Sequence, residues 1–261
     1  MDEMEITFLG TGTSVGVPSI GCCHCEVCES TDPRDKRLRS SILIKTNEQS
    51  LLIDCGPDLR QQCLREGIEF VDAVLITHPH ADHIMGLDDL RRFTPKAEDT
   101  LPIYARPSCI QALSQCFFYI FNGENRYPGY FKPDAIPIEG PFNLSELKVI
   151  PIPVEHGKVE CIGFAFYKND VPLLGYIPDC KIIYEEGMNA LKDIECLVID
   201  GLRHTPHPTH ISVSEAVEIS QELRAQKTWL THISHEVMHG RDEANLPDNV
   251  RIAYDGLKLN L

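Results

Sequence analysis

The stretch His78-Pro79-His80-Ala81-Asp82-His83 places four side chains that can bind a metal ion within six residues. It follows an apolar run at residues 73–76, and such a run predicts a buried strand. A site at a strand end is common in α/β proteins, because the scaffold fixes the loop while its polar groups face a crevice. A histidine-rich loop can also be plain surface, but features further along the chain fit the same site. The stretch therefore predicts one part of a metal site.

Three more residues of the same chemical types follow predicted strands. They are His156 after residues 147–154, Asp179 after residues 171–177, and His232 after residues 229–230. One such residue would mean little, whereas the repeated placement is typical of a site assembled from several strand ends. Asp54 also stands at the end of a predicted strand, but as a lone carboxylate it is expected to brace its loop or to support a metal-binding side chain from behind.

A cysteine-rich loop near the N-terminus predicts a second kind of site. Cys23, Cys25 and Cys28 form a Cys-x-Cys-x-x-Cys pattern, and three thiolates so close suit a closed tetrahedral zinc site whose fourth ligand comes from elsewhere. The spacing does not exclude Cys22 or His24 as ligands, and free thiols or a redox loop are the alternative interpretation. A structural zinc would pin a long loop, at about residues 10–30, that has no core of its own.

Three further histidines, His204, His207 and His210, lie in a proline-rich loop after the predicted buried strand at residues 195–199. Taken alone, each of these side chains could simply brace the turn. Ser212 and Glu215 then form the pattern of a capping box, which predicts that a helix begins there.

The composition predicts an ordinary soluble globular protein. The chain has 261 residues, of which 43% are hydrophobic and 24% charged, and this length is at the upper end of what one domain holds. The formal net charge of −15 disfavours RNA, DNA and anionic membranes as partners. A small phosphorylated substrate is not excluded, because it experiences the local field of its pocket rather than the total charge.

The N-terminal region also bears on location. It is acidic and lacks the features of a signal peptide, and no apolar run approaches the roughly 18 residues of a membrane span. We therefore expect a cytoplasmic protein without membrane contact, whose 11 cysteines are thiols or metal ligands rather than disulfides.

The hydrophobic pattern predicts strands grouped in sheets, with helices between them. Strands are predicted at residues 5–9, 41–45, 50–54, 71–77, 101–104, 147–154, 161–167, 171–177, 195–199, 229–230 and 251–254. Helices are predicted at residues 58–64, 84–92, 108–121 and 212–223, and Asp58 with Gln61 forms a capping box for the first. Aromatic residues between 117 and 131 could line a pocket or a subunit interface, although core packing is favoured. The sequence thus predicts a single layered α/β domain over residues 1–261.

The order of the strand-end residues resembles the signature of a known family. His78-x-His80-x-Asp82-His83, followed by a later histidine, an aspartate and a final histidine, resembles the metallo-β-lactamase superfamily of metal-dependent hydrolases. The resemblance implies a four-layer αβ/βα sandwich, in which two mixed sheets pack face to face with helices outside. It also implies two catalytic metals, Zn or Mn, one held by His78, His80 and His156, the other by Asp82, His83 and His232, with Asp179 as the bridge.

Three features resemble a narrower group, the phosphodiesterases allied to the phosphonate-degradation cyclic phosphate phosphodiesterase. They are the glycine-rich stretch at residues 10–18, the pattern Cys23-x-Cys25-x-x-Cys28, and His235 three residues beyond His232. This resemblance implies one structural zinc bound by Cys23, Cys25, Cys28 and His235, and it implies a homodimer. The doubled Cys22-Cys23 departs from the pattern and leaves open which of the two binds.

The resemblance predicts a phosphodiesterase that attacks a small cyclic phosphate or nucleotide-like phosphodiester with metal-bound hydroxide, which Asp82 could orient. His210 resembles the histidine that relatives, including ribonuclease Z, use near the scissile phosphate. There it would donate a proton to the leaving alkoxide or clamp a phosphate oxygen, and an ordinary histidine pKa near ~6.5 suits that task. His207 competes for this role, and His204 is a weaker competitor. Three alternative functions are a ribonuclease Z-like tRNA-processing nuclease, a thioester or lactam hydrolase of the same superfamily, and a metal-dependent ligand sensor or scaffold without turnover.

Overall fold

A computed structural model of the protein describes residues 4–22, 24–94, 100–123 and 131–261. Its strands, in chain order, are β1 Glu5–Gly10, β2 Ser41–Lys45, β3 Ser50–Ile53, β4 Ala73–Leu75, β5 Leu101–Ala105, β6 Pro133–Pro137, β7 Phe142–Leu144, β8 Leu147–His156, β9 Val159–Lys168, β10 Val171–Ile177, β11 Ile182–Ile183, β12 Cys196–Asp200, β13 Lys227–Thr231, β14 Val250–Ile252 and β15 Lys258–Asn260. The helices are α1 Glu26–Glu29, α2 Leu59–Glu66, α3 Ala81–Ile84, α4 Pro107–Cys116, α5 Phe118–Phe121, α6 Glu185–Ala190, α7 Val213–Leu223 and α8 His239–Glu243, with 3-10 helices at Pro33–Asp35 and Leu87–Phe93.

The described strands form two mixed sheets. The first has the order β15-β1-β2-β3-β4-β5-β6, and the second has the order β11-β8-β9-β10-β12-β13-β14, with β7 paired to β8. Pairing changes from antiparallel to parallel at β3 in the first sheet and at β10 in the second. Parallel strands are buried on both faces, which explains the continuous apolar runs at residues 73–76 and 196–199.

The core is layered around the two sheets. Phe8 of the first sheet and Phe164 of the second belong to the layer between them. One outer cluster packs Ala216 of α7 against the second sheet, and another packs Leu59 of α2 and Leu113 of α4 against the first sheet. The resulting sequence of layers, helix, sheet, sheet and helix, confirms the predicted αβ/βα sandwich.

Helix ends show where local prediction holds and where it is wrong. The capping box of Ser212 and Glu215 is confirmed at the start of α7. The capping box predicted for Asp58 and Gln61 is wrong: α2 begins there, but the Asp58 side chain makes no cap hydrogen bond. The Asp58 carboxylate accepts hydrogen bonds from the backbone N–H and the guanidinium of Arg39 instead, so a contact across 19 residues replaces the local cap.

Other predicted bounds also needed correction. The helix predicted at residues 84–92 is the short α3 followed by a 3-10 helix, and the one predicted at residues 108–121 is broken at Phe117. Four short strands have no counterpart in the prediction: β6, β7, β11 and β15. Three of them lie at sheet edges, and the edge strand β6 contains two prolines, which are tolerated only at such positions. Of the aromatic segment, Phe117 and Phe131 are buried and Phe118 is exposed, while residues 124–130 lie outside the described residues.

Within the described ranges, no helix combines the length and the apolar character that crossing a membrane requires.

Candidate metal centre

The strand ends bring the predicted ligands together. The loop after β4 carries residues 78–83, β8 ends with His156, and the segments after β10 and β13 carry Asp179 and His232. Because β4, β10 and β13 all run parallel to a neighbour, their carboxyl ends open toward a shared crevice. A backbone hydrogen bond of 3.1 Å from Ile162 N–H to the carbonyl of Thr77 links the two sheets at this point.

The first group of side chains consists of His78, His80 and His156. Nε2 of His78 lies 2.8 Å from Nδ1 of His80, and Nε2 of His156 lies 3.3 Å from the same Nδ1. Three ring nitrogens thus point toward one another. A cation shared by them would stabilise this arrangement, because each neutral imidazole offers a lone pair.

The second group consists of Asp82, His83 and His232. Nε2 of His83 lies 3.2 Å from Oδ2 of Asp82. Asp179 lies between the two groups, with Oδ2 at 3.2 Å from Nε2 of His83 and Oδ1 at 3.4 Å from Nε2 of His232. Its Oδ1 is also 3.8 Å from Nε2 of His156, in the first group. This is the position that a bridging carboxylate requires.

Four of these histidines are oriented by a hydrogen bond through Nδ1, which leaves Nε2 directed at the groups. The acceptors are Thr77 Oγ1 for His78 at 3.0 Å, Asp54 Oδ2 for His83 at 2.7 Å, the Thr209 carbonyl for His156 at 2.9 Å, and Ser40 Oγ for His232 at 3.3 Å. The two hydroxyls act as acceptors here because each donates its own proton elsewhere, to Asp54 and to the Gly12 carbonyl. Outer hydrogen bonds of this kind fix the tautomer and orientation of metal-binding histidines.

For three of the imidazoles, the direction of the pKa shift agrees with metal binding. Burial lowers the pKa of His232 to about 4, and it also lowers the pKa of His78 and of His156. Burial opposes a charge on His83 too, but neighbouring carboxylates, above all Asp179, raise its pKa well above the ordinary value. Neutral imidazoles keep the lone pair that a metal needs.

Buried polar atoms without partners mark the same place. Nε2 of His83, Nε2 of His232 and Oδ2 of Asp179 have no hydrogen-bond partner among the described residues, although all three side chains are buried. An unpaired buried polar atom is costly, so three of them facing one another fit a site built around cations. The residues present therefore fit the divalent metal ions that the fold implies, while the assignment of each residue as a ligand stays a prediction.

His210 faces the same centre and is held by Asp200. Its Nδ1–H donates to Oδ2 of Asp200 over 2.7 Å, and its ring stacks on His232 with centroids 5.0 Å apart. Burial opposes a charge on His210, but the hydrogen bond and the charge of Asp200 raise its pKa. Burial raises the pKa of Asp200 to about 7, against the effect of His210. Since Nδ1 is engaged, Nε2 is the atom that His210 offers to the cavity.

The other two histidines of this loop are placed differently. Nε2 of His204 lies 3.1 Å from Oδ2 of Asp242, in a separate cavity away from the centre. His207 lies beside His210 with ring centroids 5.1 Å apart, and its Nδ1 accepts a hydrogen bond from the backbone N–H of Thr209. The structure thus brings His210 to the ligand groups, with His207 behind it and His204 elsewhere.

The cavity over the centre has a volume of about 280 Å³. Predicted ligands and His210 form its floor, and Ser14, the turn at residues 157–158, Val159 and Thr209 form its walls. Phe, Tyr and Trp are absent from the described lining residues, and the rings that do line the cavity are the imidazoles of His210 and of three predicted ligands. Its size and polarity suit a small, oxygen-rich ligand.

The cysteine loop forms a separate group with His235. Sγ of Cys25 lies 3.4 Å and Sγ of Cys28 lies 3.7 Å from Nδ1 of His235, and Cys22 belongs to the same group. Desolvation opposes the thiolate of Cys25, but hydrogen bonds from the Cys28 backbone and from His235 lower its pKa to about 6. The predicted ligand Cys23 lies outside the described residues. Four ligands of these types suit a structural zinc, which stays a prediction.

Several residues of the site had no predicted role. Asp200 could have been predicted, since it is a carboxylate at the end of a buried strand. Asp179, which was predicted, lies two residues beyond the end of its strand. Thr77 precedes His78 directly but resembles any polar residue at a strand end. Ser40 had no local signal at all, because it meets His232 only across 192 residues of chain.

Comparisons with known proteins agree with this geometry. Residues 49–233 match the family model described as a beta-lactamase superfamily domain. A crystal structure described as a new diphosphatase from the PhnP family is 39% identical, with a TM-score of 0.90 over 99% of this chain and 97% of that one.

Two curated relatives extend the comparison. An octanoyltransferase of Porphyromonas gingivalis is 37% identical over 98% of this chain, which spans 51% of that protein, about half its length. Coenzyme PQQ synthesis protein B of Methylorubrum populi is 34% identical over 76% of this chain and 73% of that protein. Together with the layered fold, the family match confirms the predicted resemblance, and the chain belongs to the beta-lactamase superfamily, with the metallo-β-lactamase fold.

Proposed function

We propose that this chain is a metal-dependent phosphodiesterase that hydrolyses a small cyclic phosphate or a nucleotide-like phosphodiester. The observation that carries the proposal is that two ligand groups, joined by Asp179, share one cavity with His210. Two cation positions suit the charge of a phosphoryl group, and a proton donor beside them suits an alkoxide leaving group. The PhnP-family relative is a diphosphatase, which supports cleavage at phosphorus.

The proposed cofactors are two divalent cations, zinc or manganese, which when bound supply Lewis acidity and a source of hydroxide at neutral pH. The residues that would hold them are His78, His80 and His156 for one, Asp82, His83 and His232 for the other, and Asp179 for both. Hydrogen bonds from the histidine Nδ1 atoms keep these side chains in place before any ion binds, which lowers the cost of assembling the site.

The leaving group is handled by the chain's own residues. Nε2 of His210 can donate a proton to the alkoxide as the P–O bond breaks, or it can hold a phosphate oxygen. Asp200 positions the ring through the 2.7 Å hydrogen bond at Nδ1 and stabilises its positive charge. Asp82 lines the cavity and can orient the nucleophile.

The two alternative hydrolase functions have less support. A ribonuclease Z-like nuclease must attract a polyanion, against a net charge of −15. A thioester hydrolase releases a thiolate, which leaves without a proton donor, whereas His210 and Asp200 provide one here.

We also propose a structural zinc at Cys25, Cys28 and His235, with Cys22 or Cys23 as the fourth ligand. The ten cysteines in the described part of the chain form no disulfide. We further propose a cytoplasmic location, where glutathione keeps thiols reduced.

Metal analysis followed by kinetics on cyclic and linear phosphodiesters tests the proposal. His80→Ala and Asp179→Ala should each reduce turnover by about 100-fold or more, while circular dichroism and cooperative unfolding are retained. His204→Ala is a matched control, because His204 pairs with Asp242 outside the centre. Retained turnover in either variant refutes the two-metal assignment. Failure of the fully metallated wild type on every phosphodiester refutes the function, and turnover of thioesters would then favour the alternative.

A further inference from the structure

Lys158 occupies the tip of the hairpin formed by β8 and β9 and lines the cavity over the metal centre. The pairing of His156 with Val159 leaves Gly157 and Lys158 as a two-residue turn, which Gly157 permits with a φ of 61°. A Cβ at Gly157 would lie 3.1 Å from the methyl group of Thr209, so the turn packs closely against that loop. The backbone of Lys158 is therefore held in place, although the residue is exposed.

The positive charge of Lys158 is free. Lys158 is the only lysine or arginine among the described residues that line this cavity, and within the described residues its ammonium has no hydrogen bond or ion pair. Nearby cations are engaged, since Arg106 donates to Glu160 over 2.8 Å and Lys181 donates to Glu215 over 2.6 Å. In a chain of net charge −15, Lys158 therefore places a positive charge without a partner among the described residues at the rim of the cavity.

The charge balance of the proposed centre leaves this ammonium without a role toward the reacting phosphoryl group. Two divalent cations would bring four positive charges, and the carboxylates of Asp82 and Asp179 would offset two of them. A hydroxide nucleophile and a singly charged phosphodiester would neutralise the other two, and Asp200 would offset the charge of a protonated His210. Lys158 is then surplus for a substrate with a single negative charge, and it fits a substrate that carries a further one.

A second cavity, of about 380 Å³, lies along the same hairpin and shares residues 156–159 with the first. Arg106 and Glu155 are among its lining residues. Because Arg106 is already paired with Glu160, Glu155 offsets the charge of Lys158 on the side of this second cavity. We therefore expect an additional anionic group to remain beside Lys158, on the side of the metal centre.

We propose that Lys158 binds a second anionic group, a carboxylate or a phosphate, on the arm of the phosphodiester that does not leave. The proposal rests on the proposed function of the centre and makes Lys158 a residue that determines specificity. One charge-assisted contact at an exposed rim corresponds to about tenfold in affinity.

Two synthetic esters that differ only in the second charge test this role, methyl p-nitrophenyl phosphate and carboxymethyl p-nitrophenyl phosphate. The wild type should prefer the carboxymethyl ester. Lys158→Met should raise KM for the carboxymethyl ester by about tenfold and leave kcat for that ester within about twofold. For the methyl ester, both KM and kcat should change by less than about twofold. Lys158→Arg should retain the preference. Lys192→Met is the matched control, since it removes the same charge from an exposed position outside both cavities.

An equal loss on both esters, or no loss on either, would overturn the proposal. If the wild type hydrolyses neither ester, the proposed function is in doubt, and the role of Lys158 is then decided by calorimetric titration of the same esters into metal-loaded protein. Tighter binding of the carboxymethyl ester that disappears in Lys158→Met supports the role. Equal binding of the two esters to the wild type overturns it.

Discussion

Replacing Asp200 by asparagine would separate proton donation by His210 from a purely structural role. One oxygen of the buried Asp200 carboxylate accepts hydrogen bonds from His210 at 2.7 Å and from the Cys180 backbone N–H at 3.2 Å, and the other oxygen has no partner among the described residues. Asparagine has nearly the same shape and can still accept from His210. It removes the negative charge that stabilises the protonated imidazole, and it places an amide NH2 at the oxygen that lacks a partner.

The size of the effect follows from that difference. A hydrogen bond to a charged group contributes about 1.5–3 kcal/mol, and one between neutral groups about 0.5–1.5 kcal/mol. Asp200→Asn should therefore cost the protonated His210 about 1–2 kcal/mol, which is about 5–30-fold in rate. His210→Ala removes the donor itself and should cost about 10²–10⁴-fold. Unfolding should change little, because the substitution removes a buried charge whose second oxygen was unpaired.

The leaving group provides the assay. An alkoxide needs a proton as it departs, whereas p-nitrophenolate does not. Asp200→Asn should slow kcat for a cyclic or dialkyl phosphodiester by about 5–30-fold, and kcat for bis-p-nitrophenyl phosphate by less than about threefold. Equal slowing on both substrates would refute proton donation and favour a clamp on a phosphate oxygen. Loss of cooperative urea unfolding would instead show that Asp200 is mainly structural.

Three further predictions concern the supports of the centre. Cys25→Ser should remove about one zinc per chain and lower Tm while sparing the catalytic metals, and unchanged zinc in elemental analysis would refute the structural site. Gly56→Ala should cost about 2 kcal/mol or more of unfolding free energy, because its Cβ would lie 2.0 Å from the carbonyl oxygen of Asp82; Gly140→Ala, with open space around it, is the control. Arg37→Met should lower the free energy of unfolding by about 2 kcal/mol, since the buried guanidinium donates hydrogen bonds to the Thr11 hydroxyl and the Ala253 carbonyl. An unchanged midpoint in urea unfolding would contradict this.

Most of the ligand groups could be predicted from the sequence because each ligand has its own local signal. Residues 78–83, Asp179 and His232 each follow an apolar run, and such runs form strands whose ends are determined within a few residues. Parallel strands then align their carboxyl ends without any further information. The fold class follows in the same way, since buried strands with helices between them leave few ways to cover both faces of two sheets.

The residues that orient the ligands could not be predicted, because their partners are distant in sequence. Ser40 meets His232 across 192 residues, and nothing near either one indicates the contact. The prediction of a cap at Asp58 failed for the same reason, since the carboxylate accepts a hydrogen bond from Arg39 instead of capping its own helix. Lys158 lacked a signal for another reason: an exposed lysine in a turn is ordinary, and only the cavity beside it makes it a candidate.

The glycine-rich stretch at residues 10–18 is also explained by contacts between distant segments. A Cβ at Gly12 would lie 2.9 Å from the Cβ of Arg37, so a side chain there would clash with the neighbouring segment. Its carbonyl accepts hydrogen bonds from the backbone N–H and hydroxyl of Ser40, which in turn holds His232. Glycine is needed here for close packing rather than for binding a phosphate.

The loop at residues 231–235 joins the two predicted metal sites through that packing. Ile233 N–H donates to the Thr11 carbonyl at 2.9 Å, and Thr13 N–H donates to the Ile233 carbonyl at 3.1 Å, so the glycine-rich stretch holds the middle of the loop. His232, at one side, has a φ of 56°, a left-handed conformation that costs a residue with a side chain about 1–2 kcal/mol. Such a conformation persists only where its surroundings enforce it. A zinc bound through His235 would secure the other side of the loop, which gives the cysteine group a physical reason to lie beside the catalytic centre without taking part in its chemistry.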